Sequence, residues 1–205
     1  MAFIHFARRE IHCKIVYYGP GLGGKTTNLQ VLHRLLPEDS CGELTSLTAD
    51  GERTLYFDLL PLDLGRIGPW QTRFHLYTVP GQPRYNLSRR IVLQGADAIV
   101  FVADSSPDRF FQNRASFDNL RENLALTGRP LASLPLVFQY NKRDVPGAVP
   151  CERLDALINA AGHRAILGVA PAGVGVREAL RAAIELALAQ LHPPRCATGR
   201  SAGSP

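Results

Sequence analysis

Lysine is scarce in this chain of 205 residues: Lys14, Lys25 and Lys142 stand against twenty arginines. The arginines are scattered, Arg8-Arg9 and Arg89-Arg90 being the densest pairs, and no basic run occurs. A net charge of +5 without such a run argues against a nucleic-acid-binding face. Cysteine is scarce too. Cys13, Cys41, Cys151 and Cys196 form no C-x-x-C pair, which argues against a metal cluster or a disulfide framework and for reduced, structural thiols. No apolar run approaches the roughly 18 to 20 residues of a membrane span. The first ten residues lack the basic stretch and long apolar core of a secretory signal. Ala2 stands where myristoylation needs glycine, and Ala202 to Pro205 is not a prenylation box. These absences predict a cytoplasmic protein with no stable membrane anchor.

What is present is the composition of a folded globule, 45% hydrophobic and 20% charged. The length suits one domain, taken as residues 1–192; the Pro/Gly/Ser/Arg-rich stretch 193–205 reads as a disordered tail. Strands and helices alternate along the domain. His12–Tyr18 reads as a buried strand, and Leu29, Leu32, Leu35 and Leu36 as a helix that Pro37 ends. Arg53–Asp63 and Arg73–Val79 read as two strands around a turn at Gly65–Pro69. The continuous apolar run Ala98–Ala103 marks a central strand covered on both faces. A helical stripe at Phe117, Leu120 and Leu124, closed by Gly128, leads to a strand at Leu134–Tyr140. Pro150 at a first helical position opens a helix over Cys151–Ala161, stopped by Gly162. A short strand at Ala165–Val169 precedes a last helix carrying Val176, Leu180, Ile184, Leu188 and Leu191. The alternation predicts an α/β fold of three layers, a mostly parallel sheet between helices, with ligands beyond the carboxyl ends of the strands.

Gly19-Pro20-Gly21-Leu22-Gly23-Gly24-Lys25-Thr26 matches the phosphate-loop pattern G-x-x-x-x-G-K-[S/T], directly after a strand and before a helix. That string arises by chance in on the order of 1% of chains this long or fewer. Its glycines let successive N–H groups turn inward around phosphate oxygens, and the following helix aims its positive end at the same anion. Lys25 supplies a cation for the outer phosphates, and the Thr26 hydroxyl a ligand for Mg2+. Asn141-Lys142-Arg143-Asp144 follows a later strand. The Asp144 carboxylate only accepts, so it can pair with the adjacent N–H and NH2 donors of guanine, a match adenine cannot make. Asn141 would tie loops together, and the Lys142 stem can lie over the base. In Thr78-Val79-Pro80-Gly81-Gln82, Gly81 is placed to meet the terminal phosphate with its N–H and Gln82 to orient the attacking water. The segment Asp50-Gly51-Glu52-Arg53-Thr54 is the switch-loop candidate, Thr54 completing the Mg2+ shell and Arg53 stabilising transition-state charge.

Together these strings resemble the Ras-like small GTPases, a P-loop NTPase family, and within them the bacterial MglA subfamily. The likeness runs from about Phe3 to Leu191 through Lys14-Ile-Val-Tyr-Tyr-Gly-Pro-Gly-Leu, Lys25-Thr-Thr-Asn-Leu, Arg73-Phe-His-Leu-Tyr-Thr-Val-Pro-Gly-Gln82, Phe101-Val-Ala-Asp-Ser and Gln139-Tyr-Asn-Lys-Arg-Asp144. Thr78 stands where Ras-like proteins generally carry an aspartate, as in the subfamily. The resemblance implies a GTP/GDP-binding, Mg2+-dependent switch for cell polarity or gliding-type motility, clustering at a cell pole. It also implies a Roadblock-fold, MglB-type homodimer that accelerates hydrolysis, and downstream effectors. Expected nucleotide contacts are Gly19, Gly21, Leu22, Gly23, Gly24, Lys25, Thr26, Thr27, Thr54, Gly81, Asn141, Lys142 and Asp144. Ala170, in Val169-Ala-Pro-Ala-Gly173, aligns with the backbone donor to the guanine O6. Gln82, Arg53 and Lys25 are the expected catalytic residues, and Thr26 and Thr54 the metal ligands. A nucleotide-dependent interaction module with negligible hydrolysis is the alternative, kept open by Thr78.

Overall fold

A computed structural model describes residues 3–47, 57–81 and 85–191. The chain runs through β1 (Phe3–His5), β2 (Glu10–Tyr18), α1 (Lys25–Leu35), β3 (Thr45–Leu47), β4 (Phe57–Ile67), β5 (Trp70–Thr78), α2 (Asn86–Leu93), β6 (Ala98–Asp104), α3 (Phe110–Leu126), β7 (Leu136–Asn141), α4 (Cys151–Ile158), β8 (Ala165–Leu167) and α5 (Val176–Ala189). The strands form one sheet in the order β3-β4-β5-β2-β6-β7-β8, with β1 on the near end of β2. β5, β2, β6, β7 and β8 are mutually parallel. β4 runs antiparallel to β5, β3 to β4, and β1 to β2.

Strand alternation splits the core in two. Cys13, Ile15 and Tyr17 of β2 pack with Leu29 and Leu32 of α1 and Val176, Ala179 and Ala183 of α5. Val16 and Tyr18 face the other layer, with Val92 of α2, Leu120 and Leu124 of α3 and Leu154 of α4. All seven residues of β6 are buried, as its unbroken apolar run requires of a strand covered on both faces. No described helix is long and apolar enough to cross a membrane.

Several boundaries differ from those read in the sequence. The β4–β5 turn narrows from Gly65–Pro69 to Gly68–Pro69. Asp63 Oδ1 accepts the Gly65 N–H at 3.1 Å, the register shifts between Asp63 and Arg66, and the ladder then resumes at Arg66–Gln71 and Ile67–Trp70. Pro150 caps α4 from outside, and the helix stops at Ile158 rather than Ala161. The Asn159 amide ends it, accepting from the His163 N–H at 2.8 Å and donating to the His163 carbonyl at 2.9 Å. β8 ends at Leu167 because Val169 bridges to Val174 instead. β1, β3 and α2 are additional elements. The residues read as a tail, 193–205, lie outside the described structure, as do Arg53 and the rest of that strand's beginning through Tyr56.

Candidate functional site

The phosphate loop links the carboxyl end of β2 to α1, where α1 begins at Lys25 with Gly24 as its N-cap at φ 101°. A Cβ at Gly24 would collide with the Asn141 amide nitrogen, so this position must be glycine for space as well as for backbone conformation. Lys25 is buried, and its ammonium donates to the carbonyls of Gly19 at 3.0 Å and Pro20 at 2.7 Å. Burial, joined by the positive charge of Arg89 and opposed by Asp58, pushes its pKa down to about 7.

Next to Lys25, one carboxylate gathers three hydroxyls. Thr26 donates to Asp58 Oδ2 at 2.6 Å, Thr78 to the same oxygen at 2.8 Å, and Ser46 to Oδ1 at 2.7 Å. The Asp58 N–H donates back to Thr78 Oγ1 at 2.9 Å, as two neighbouring residues of β4 and β5 can. Asp58 therefore brings an acid to a place where Thr78 carries none. Sequence reasoning passed over it as an ordinary strand residue; the available signal was a lone acid beside Phe57, Leu59 and Leu60. A cavity of about 370 Å³ opens here, walled by Lys25, Thr26, Thr27, Phe57, Asp58 and Gly81 among others. Gly81 lies so close to Gly21 that a Cβ on it would strike the phosphate-loop backbone.

On the base side, Asn141 ends β7 and is 1% exposed. Its amide nitrogen donates to the Gly23 carbonyl at 2.8 Å, and its oxygen accepts the Ala170 N–H at 2.9 Å. One side chain thus ties the phosphate loop to the turn at Ala170–Ala172. That bond anchors the turn expected to carry the donor to the guanine O6 against the end of β7. Lys142 adopts a left-handed φ of 63°, and its ammonium pairs with the buried Asp104 carboxylate at 2.6 Å. Asp144 is exposed, and its carboxylate has no hydrogen bond or ion pair among the described residues. Leu22, at the outer corner of the phosphate loop, is 78% exposed with φ 64°.

The structure thus brings the residues at 19–27, Gly81, Asn141 and Ala170 to one end of the sheet, beyond the carboxyl ends of β2, β5 and β7 as parallel topology demands. Thr54, Arg53 and Gln82 lie outside the described residues. No family model matches the chain. It is 51% identical over 191 residues to the mutual gliding-motility protein MglA of Myxococcus xanthus, covering 93% of this chain and 98% of that protein. Over 95 residues it is 30% identical to ADP-ribosylation factor-like protein 6 of Caenorhabditis briggsae, 44% of this chain and 47% of that one. With a phosphate loop and an Asn-Lys-Arg-Asp loop at one cleft, and with likeness along nearly its whole length, the chain belongs to the MglA family of Ras-like small GTPases, which bind guanine nucleotides.

Proposed function

We propose that this protein is a GTP-hydrolysing switch for bacterial gliding-type motility or cell polarity, slow alone and accelerated by a Roadblock-fold, MglB-type homodimer. The observation that carries the reading is the 51% identity to a gliding-motility protein across 93% of the chain. The protein works in the cytoplasm, clusters at a pole with GTP bound, and then engages downstream effectors.

Mg2+ fits the donors available. Asp58, Thr26, Ser46 and Thr78 offer only oxygen, the preference of a hard cation. No three described His, Cys, Asp or Glu side chains converge on a metal position. A single carboxylate, hydroxyls, water and substrate phosphates are a usual set for Mg2+. Thr26 and Thr54 would hold the ion, with Asp58 orienting the Thr26 hydroxyl. The ion would neutralise charge shared by the outer phosphates. Lys25 turns from its own loop carbonyls to phosphate oxygens, Gln82 orients water, and Arg53 meets charge developing in the transition state. Asp58 weakens the case for a module that binds without hydrolysing, since that case rested on Thr78.

The test is GTP turnover with and without the partner. We expect Arg53→Ala to remove the partner-stimulated rate, roughly 10³-fold or more, while GDP affinity stays within a few-fold. Arg53→Lys should rescue poorly, because a point charge lacks the planar fork. Full stimulation of Arg53→Ala would remove Arg53 from the catalytic residues.

A further inference from the structure

The amino end of the sheet, opposite the nucleotide cleft, carries aromatic and cationic side chains that the GTPase reading does not use. β2 spans roughly 26 Å between the two ends. Phe6, in the 3-10 turn Phe6–Arg8, is 74% exposed and meets Trp70 edge-on with centroids 5.6 Å apart. Ile67, paired with Trp70 across the β4–β5 turn, is 50% exposed. Around this apolar centre stand Arg8, Arg9 and Arg66, all exposed. They are held close by backbone pairing, since the Arg9 carbonyl accepts the Gln71 N–H at 2.8 Å and Gln71 lies opposite Arg66.

The acids nearby are already engaged. Glu10 takes His12 at 3.0 Å and Arg73 at 3.3 Å, and Asp63 takes the Gln71 amide and, at 4.0 Å, Arg73. Among the described residues no acid lies within 4.0 Å of the Arg8, Arg9 or Arg66 guanidinium, and Arg8 reaches Glu10 only through its longer-range charge. We propose that Phe6, Trp70, Ile67 and the arginines 8, 9 and 66 form a reversible docking surface for a membrane carrying anionic lipid headgroups. Charge of one sign around an exposed aromatic and aliphatic centre matches a bilayer surface that is uniformly anionic over an apolar interior. Rings settle at such an interface while guanidinium groups reach the phosphates. Docked this way, the nucleotide cleft faces away from the lipid.

Trp70 is the sole tryptophan, so it reports on its own surroundings. Full-length protein is mixed with vesicles of phosphatidylcholine alone or of phosphatidylcholine with phosphatidylglycerol, and both sedimentation and tryptophan emission are read. We expect binding and a blue shift only with the anionic mixture, weakening as salt rises. Arg8→Gln with Arg9→Gln should cut partitioning by roughly 25-fold, about fivefold for each charge removed. Phe6→Ser should reduce it separately, and Arg66→Gln tests the opposite side of the patch without touching the N-terminal segment. Unchanged GDP affinity in each variant shows that the fold is intact. Equal binding to neutral vesicles, no binding to anionic ones, or indifference to these substitutions overturns the proposal. So does concentration-dependent self-association that Phe6→Ser abolishes, which would give the surface to a second copy of the chain.

Discussion

Asn141 and Asp58 each gather several polar groups at the nucleotide cleft, yet they do so in opposite ways. Asn141 is almost fully buried and joins two backbone groups, the Gly23 carbonyl and the Ala170 N–H, through a neutral amide with fixed donor and acceptor ends. Asp58 is half-exposed and collects three side-chain hydroxyls, each able to rotate towards another partner. The base side is a fixed frame. The Asp58 side is a set of rotatable hydroxyls around one charge, contacts that can be exchanged without moving the backbone.

The largest effect is expected at the edge of the frame. Asp144→Asn replaces an acceptor with a donor, so preference for GTP over a xanthine nucleotide should fall by roughly 10⁴-fold. Since the Asp144 carboxylate supports no described contact, unfolding free energy should stay within about 0.5 kcal/mol. Competition binding and thermal melts read the two, and unaltered GTP preference would remove Asp144 from the base site. Asn141→Ala should do the reverse and damage the fold itself. It strands a buried carbonyl and a buried N–H, costing about 3 kcal/mol, which a denaturant titration measures. A loss below about 1 kcal/mol would mean that the two loops hold without the amide.

At the hydroxyl cluster, Asp58→Asn keeps the shape but removes the charge. The Mg2+ requirement of GTP binding should shift upwards by roughly 10- to 100-fold with little change in melting temperature. If Mg2+ dependence stays put while stability drops, Asp58 serves the strand pair and not the cation. The smallest effect belongs to Lys25. Its pKa of about 7 lies below the unfolded value of about 10.5, so burial disfavours the fold most fully below pH 7, and that penalty fades as pH rises towards 10.5. Phosphates would raise the pKa again. Binding of GDP to nucleotide-free protein at pH 8.5 should therefore take up a fraction of a proton, seen by calorimetry in two buffers of different ionisation enthalpy. No uptake would mean that the ammonium is charged throughout.

The glycines, Asn141 and the Thr26 hydroxyl were legible in the sequence, and the carboxylate that gathers Thr26 with Ser46 and Thr78 was not. Glycines at fixed spacing before Lys25, or an asparagine ending an apolar strand, state their roles locally, because backbone conformation and strand ends are local properties. Asp58 acquires its role only from the pairing of β4 with β5, which sets it beside Thr78 and in reach of Thr26 and Ser46. α2 escaped notice because its inward face includes Ser88 and Arg89 while Leu87 and Ile91 point out, so apolar spacing misstates which side is buried. β1 and β3 are three residues each, too short for a period to show.

The placement of β6 has a consequence for the size of molecule the cleft accepts. It alone separates β2, which ends in the phosphate loop, from β7, which ends in Asn141. The two loops are thus held two strand spacings apart, roughly 9.6 Å. Hydrogen-bonded on both edges and buried throughout, β6 works as a ruler between the groups that grip phosphate and the groups that grip base. Side-chain substitutions can loosen either grip, but the reach between them is counted in strands.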